Sequence, residues 1–291
     1  MQLRVSHITR YLYSMAARYN QNELRLAPEE THRQRPGSLT ISVSPYTELD
    51  TTRDLFGNLV HSFEVEEAHG ELVIDAVSEV ETLDTTHLHE EAMKVPLRKV
   101  GELEEEEASV HEFLTDSTFV KRDPVIWREA VDIKADCSPT YGAVVRAMSE
   151  FIFKHCHYDE AKLVHCMTSA MEVQQCRSGT CQDFSHLLVA YCRALGIPAR
   201  YISGYLYDPG LEDEGVNPEW IGAGVSHAWV EFFVPGLEWV GIDPTNNCWV
   251  NEHHVSVAFG RDYHDVAPIR GSLQGGGKNR KLEVGVEVVR I

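Results

Sequence analysis

The stretch Gly179–Leu206, GTCQDFSHLLVAYCRALGIPARYISGYL, sets one cysteine directly after a glycine and at the head of an amphipathic helix. Phe184, Leu187, Leu188, Tyr191, Cys192 and Leu195 recur at helical spacing. Gly196 supplies the stop and Pro198 prevents continuation. Ser178 or Thr180 can cap the start, which puts Cys181 in the first turn. A thiol attacks carbonyl carbon as the thiolate, and the positive end of a helix favours that anion. The stripe claims Cys192 for the core, whereas Cys181 precedes it. ARYISGYLY then switches to a strand pattern.

A nucleophile of this kind needs a base, and the base needs a group to orient it. Downstream, VSHAWVEFFV reads as a strand with Ser226, Ala228, Val230 and Phe232 on one face. His227, Trp229, Glu231 and Phe233 take the other face. LEWVGIDP follows across the short turn VPGLE, so the two segments form an antiparallel hairpin. That hairpin can bring Asp243 beside His227, although Asp243 also reads as a turn residue before Pro244. Cys181, His227 and Asp243 together have the composition of a catalytic triad. The backbone N–H of Cys181 is the natural first oxyanion donor.

Three segments carry a resemblance to a known family: GTCQDFSHLLVAYCRALGIPARYISGYL, SHAWVEFFVPGLEWVGIDPTNN and VAFGRDYHDVAPIRG. Together they resemble the transglutaminase-like superfamily, and within it bacterial members described as cysteine proteases. The β-rich start of the chain, with its DLFGN turn, is similar to the N-terminal domain such proteins carry. The resemblance implies Cys181 as nucleophile, His227 as base and Asp243 as its orienting residue. It also implies an α+β fold, papain-like, with the nucleophile's helix packed on an antiparallel sheet. Gln175 lies upstream at a spacing similar to the oxyanion glutamine of papain-like proteases and is the candidate second donor. Thr180 stands where the family more often has a hydrophobic residue.

Around this core the chain divides at residue 100. Residues 1–100 read as a small β-sandwich, with strands such as LTISVSPY, LVHSFEVEEA and ELVIDAVSEVETL between turn clusters. Residues 101–291 read as the catalytic domain, its core at 139–271. Short helices are expected in SVHEFLTDS and PVIWREAVD, and a longer one in PTYGAVVRAMSEFIFKHCHY. The glutamate-rich GELEEEEAS reads as solvated surface or linker, and a final strand ends the chain.

A net charge of −19 disfavours nucleic acid and anionic membrane as partners. No apolar run reaches the length of a membrane span or a signal peptide. Seven scattered cysteines fit a reducing compartment, so a cytoplasmic protein is expected. HCHY and the pair His253–His254 are the best metal candidates, but no paired C-x-x-C and no H-E-x-x-H occurs. Asp208, Glu212, Asp213 and Glu214 form an acidic loop without an EF-hand pattern. The expectation is an enzyme without metal or cofactor, acting on amide bonds of a peptide or protein substrate. Glutamine acyl transfer and a non-catalytic peptide-binding module are the alternatives.

Overall fold

Residues 1–98, 105–159, 168–211, 220–277 and 280–291 are described by the structure, a computed structural model. Five strands lead the chain: β1 (Gln2–Leu24), β2 (Gln34–Ser44), β3 (Asp50–Arg53), β4 (Leu59–Val65) and β5 (His69–Thr82). Leu3, Val5, His7 and Thr9 in β1 and Leu72, Ile74, Ala76 and Val80 in β5 alternate buried with more exposed neighbours. That period of two marks strands with one covered face. The strands pair antiparallel in the order β2-β5-β1-β4-β3. They form one continuous sheet, because the first half of β1 pairs with β5 and its last residues with β4. A register shift between Leu12 and Ala17, the kind of irregularity that bends a strand, separates the two halves. Leu24, Val43, Phe63, Val65, Leu72 and Ile74 from both halves close on one core.

The middle of the chain is helical, with α1 (Thr86–Ala92), a 3-10 turn at Glu105–Leu114, α2 (Pro124–Ala135) and α3 (Tyr141–His155). Thr140 caps α3, its side chain accepting from the Ala143 N–H at 3.4 Å. A two-residue parallel pair, β6 (His157–Tyr158) and β7 (Ser178–Gly179), brackets α4 (Ala170–Cys176) and leads into α5 (Cys181–Ala194). There follow β8 (Ala199–Leu206), β9 (His227–Val234), β10 (Glu238–Asp243), β11 (Cys248–Trp249) and β12 (His254–Gly260). These make an antiparallel sheet in the order β11-β10-β9-β8-β12. Val145, Met148 and Ile152 of α3 meet Leu187, Leu188 and Tyr191 of α5 and Val230 and Phe232 of β9 in the main core. The helix that carries Cys181 is therefore fixed to the sheet by its apolar stripe, as its periodicity predicts.

The C-terminus departs from the division expected at residue 100. After α6 (Tyr263–Val266), β13 (Ile269–Gly275) and β14 (Arg280–Arg290) turn back to pair with β1, matching Leu24 to Ile269 and Val5 to Val288. The N-terminal sheet thus has seven strands, two of them from the end of the chain. The reason is an open edge: β5 covers one side of β1, and the alternating residues of β14 supply the other.

The two sheets share a seam. Leu3, Val5, Val80 and Val288 pack against Tyr205, Tyr207, Val255 and Val257. β12 is an edge strand whose backbone groups would otherwise lack partners, and two side-chain amides, one from the start of β2 and one from the β3–β4 connection, satisfy them. Ser256 donates to Gln34 Oε1 (2.9 Å) and accepts from its Nε2 (2.8 Å). Phe259 donates to Asn58 Oδ1 (2.9 Å) and accepts from its Nδ2 (2.8 Å). Among the described residues no helix is long and apolar enough to cross a membrane.

Candidate active site

Gly179 and Thr180 determine how α5 begins. An added Cβ at Gly179 would lie 2.6 Å from the Cβ of Asp183, so only glycine lets the chain pass there. Thr180 is the N-cap. Its N–H donates to Asp183 Oδ2 at 2.8 Å and its hydroxyl to the same oxygen at 3.1 Å, while Asp183 Oδ1 accepts from the Thr168 N–H at 3.1 Å. Asp183 is accordingly consumed in building the helix start. Cys181 becomes the first helical residue, and its N–H is one of those an α-helix leaves without an internal acceptor. Its side chain is buried among Tyr201, Ala228, Ala258 and Val266, with Tyr158 and Tyr263 packed alongside.

The hairpin delivers the base. His227 is the first residue of β9, and the register pairs Ile242 with Val230, which leaves Asp243 at the level of the strand's start. His227 Nε2 donates to Asp243 Oδ2 at 2.8 Å, both side chains fully buried. Asp243 divides its two oxygens. Oδ1 accepts from the backbone N–H groups of Thr245 (2.8 Å) and Asn246 (3.2 Å), which is the turn role its place before Pro244 suggests. Oδ2 faces the site and also accepts from Asn246 Nδ2 at 2.8 Å.

Burial opposes charge on both partners, yet each is held ionised by the other. Burial lowers the pKa of His227, but Asp243 and then Cys181 outweigh it and push it up to about 10. Burial likewise raises that of Asp243, and His227 followed by His254 holds it far below the usual carboxylate range. Nδ1, the imidazole nitrogen not engaged by Asp243, has no hydrogen-bond partner among the described residues.

The segment Trp220–Ser226 covers this nitrogen. Gly222 has φ +93°, and a Cβ there would collide with His227 Nδ1. Asn246 ties the segment down, accepting from the Ile221 N–H at 2.9 Å and donating to the Ile221 carbonyl at 3.1 Å. The described end of the loop between β8 and β9 thus lies over the imidazole; residues 212–219 fall outside the described part.

Other expectations fare differently. Gln175 is exposed on the outer side of α4, whose inward positions are Ala170 and Val173. The structure does not bring it into the buried cluster around Cys181. The helix ends at Cys176, and Arg177 turns left-handed at φ 52°. Asp208 accepts from the Gly210 and Trp220 N–H groups (2.8 and 2.9 Å) and organises its loop rather than a calcium site. Glu212, Asp213 and Glu214, together with Gly101–Glu104, lie outside the described residues. His155 stacks on Phe151 at 4.2 Å and bonds its carbonyl. Asn246 was missed from sequence, and His254, read there only as a metal candidate, stands with its Nε2 3.5 Å from Asp243 Oδ2. The DPTNN turn is the signal that was available for the first.

Two family profiles match this chain: the transglutaminase-like superfamily over residues 129–244, and the bacterial transglutaminase-like N-terminal region over residues 3–81. The chain belongs to the transglutaminase-like superfamily. The first match spans Cys181, His227 and Asp243. An uncharacterised protein of Mycobacterium leprae is 32% identical over 100% of this chain and 99% of its own length. The crystal structure of a "putative cysteine protease" from Cytophaga hutchinsonii is similar in fold, with a TM-score of 0.75 at 22% identity, covering 99% of this chain and 90% of that one. A protein-glutamine gamma-glutamyltransferase of Pseudomonas aeruginosa is 36% identical over 69 residues, 24% of this chain and 10% of that protein.

Proposed function

We propose that the protein is a cysteine acyl-transfer enzyme that hydrolyses amide bonds in peptides or proteins, with Cys181, His227 and Asp243 as its catalytic residues. The observation that carries this reading is the buried His227, bonded through Nε2 to Asp243 with Nδ1 left over beside Cys181. An imidazolium next to a thiol at a helix start favours the thiolate. The Cys181 thiolate attacks the substrate carbonyl, forming a carbon–sulfur bond and an oxyanion to which the Cys181 N–H donates. His227 gives its proton to the leaving nitrogen, and the carbon–nitrogen bond breaks. The now neutral imidazole takes a proton from water, whose oxygen attacks the thioester and releases the acid and the thiolate. Asp243 keeps the imidazole oriented through both halves.

Water serves as second substrate without a dedicated site, and the name given to the Cytophaga protein points the same way. Acyl transfer to an amine is the second reading, favoured by the local likeness to the Pseudomonas transferase. A mixture of glutamine-containing peptides, incubated with a dansylated primary amine, separates the two. New peptide termini or free acid mean hydrolysis, and dansyl incorporation means transfer. Neither product forming with the wild-type chain, or either persisting in Cys181→Ala, would overturn the assignment.

A further inference from the structure

Behind Asp243, away from Cys181, the structure gathers a second set of reactive side chains. Asp243 ends β10, Cys248 lies opposite it in the β10–β11 register, and His254 opens β12. One ligand atom from each lies within 4.8 Å of the others. His254 is 3% exposed, and Trp229 and Trp220 hold its ring edge-on at 5.2 and 5.9 Å. Its Nδ1 lies 3.2 Å from Asn251 Oδ1, to which it donates, and 3.4 Å from the Asn251 N–H. Its Nε2 has Asp243 as its one close polar neighbour among the described residues, outside good hydrogen-bond geometry. A buried ring nitrogen so loosely partnered requires an explanation.

The distance to its nearest acceptor supplies one. His254 Nε2 is 3.5 Å from Asp243 Oδ2, at the limit for a hydrogen bond and not aligned as one. Two ligand atoms bound about 2.0–2.1 Å from a tetrahedral zinc ion lie roughly 3.4 Å apart. Thiolate, imidazole and carboxylate are also the donor set that zinc prefers over calcium or magnesium. Cys248 is partly exposed, giving an ion a route from solvent and water a place as fourth ligand. Two more buried oxygens of the same turn, Thr245 Oγ1 and Asn247 Oδ1, also lack partners among the described residues.

We infer that Asp243, Cys248 and His254 form a zinc-binding site that shares Asp243 with the triad. Binding exchanges the Cys248 thiol proton, released to solvent, for the metal. Zinc on Oδ2 competes with His227 for that oxygen, so the ion is an inhibitor acting from behind the triad. This consequence rests on the proposed function; the binding itself does not. The three ligands come from separate strands, which is why no metal motif shows in the sequence.

The test uses cobalt(II) as a spectroscopic stand-in for zinc, in the full chain carrying Cys181→Ala so that the nucleophile cannot be the ligand. The expected result is uptake of one equivalent with tetrahedral visible bands and a thiolate-to-cobalt charge-transfer band, all lost on adding zinc. Cys248→Ser removes the charge-transfer band. His254→Gln weakens binding by more than the roughly 10–100-fold that losing an outer-sphere partner costs. Should Cys248→Ser not fold, the wild-type chain is alkylated with a maleimide and mapped by mass spectrometry. Zinc then protects Cys248 and leaves Cys176 labelling unchanged. A charge-transfer band that survives Cys248→Ser, no band in Cys181→Ala, or no protection of Cys248 would overturn the site. A protein that binds cobalt this way but turns over no substrate would instead count against the proposed function alone.

Discussion

Two buried charged groups share one face of β9. At its start His227 bonds to Asp243, and farther along Glu231 receives Arg33 (2.9 Å) on one oxygen and Arg200 (2.6 Å) on the other. The second group pairs its charges internally. Both oxygens of Glu231 are engaged, and the Arg200 guanidinium lies between Trp239 at 4.2 Å and Phe259 at 4.0 Å. Arg33 reaches in from the N-terminal sheet's side, so the network joins the two sheets. The first group keeps something in reserve: Nδ1 of His227 has no protein acceptor and stands beside a thiol. Burial and charge alone therefore do not mark a site on this strand. What sets the first group apart is the thiol beside its imidazole.

Substitutions at the two carboxylates should fail in different ways. Asp243→Asn should leave the fold largely intact but cost about 10⁴-fold in turnover, since the amide no longer fixes the imidazole tautomer. Steady-state rates and thermal melts on the same preparation check this; unfolding in step with the lost rate would make Asp243 a structural residue like Glu231. Glu231→Gln strands two guanidiniums and should destabilise by about 3–5 kcal/mol in urea titrations. Its surviving folded fraction should keep the wild-type alkylation rate at Cys181. A selective loss of that rate would erase the distinction between the two groups.

The smallest effect concerns pH. Burial lowers His7 to about 4 from an ordinary 6.5, where it bonds Tyr205 at 2.8 Å across the seam and Thr9 at 2.9 Å. His254 and His89 are lowered to about 4 as well, each chiefly by burial. Below pH 6.5 the unfolded chain takes up protons that the folded one refuses, so stability should fall from pH 6.5 toward 4. His7 contributes at most about 3 kcal/mol of that fall. His227 has the opposite sign: its contribution is complete below pH 6.5 and is lost as pH rises through about 10. Urea midpoints across this range should show both limbs, and His7→Gln should flatten only the acid one.

What the sequence made legible was local. The stripe on α5, the Gly179–Thr180 start and the β9–β10 hairpin each have short-range signatures, and they are the features that bring Cys181, His227 and Asp243 together. The pairing of β14 with β1 was not legible, because alternating residues mark a strand without naming its partner. Neither was the approach of His254 to Asp243. It depends on β12 and β10, strands that are not neighbours in the sheet, bringing their ends together over the same turn. Gln175 is exposed on α4 and is not among the residues packed on Cys181.

The central claim is that His227 activates Cys181. Its most direct test is limiting iodoacetamide across roughly pH 5 to 9, with the modified cysteine mapped by mass spectrometry. His227, protonated through neutrality, should make Cys181 label ahead of the exposed Cys176 on the acid side of pH 7, and His227→Ala should abolish that preference. Unselective labelling that reaches half its maximum near pH 8.5, as an ordinary thiol does, would contradict the account.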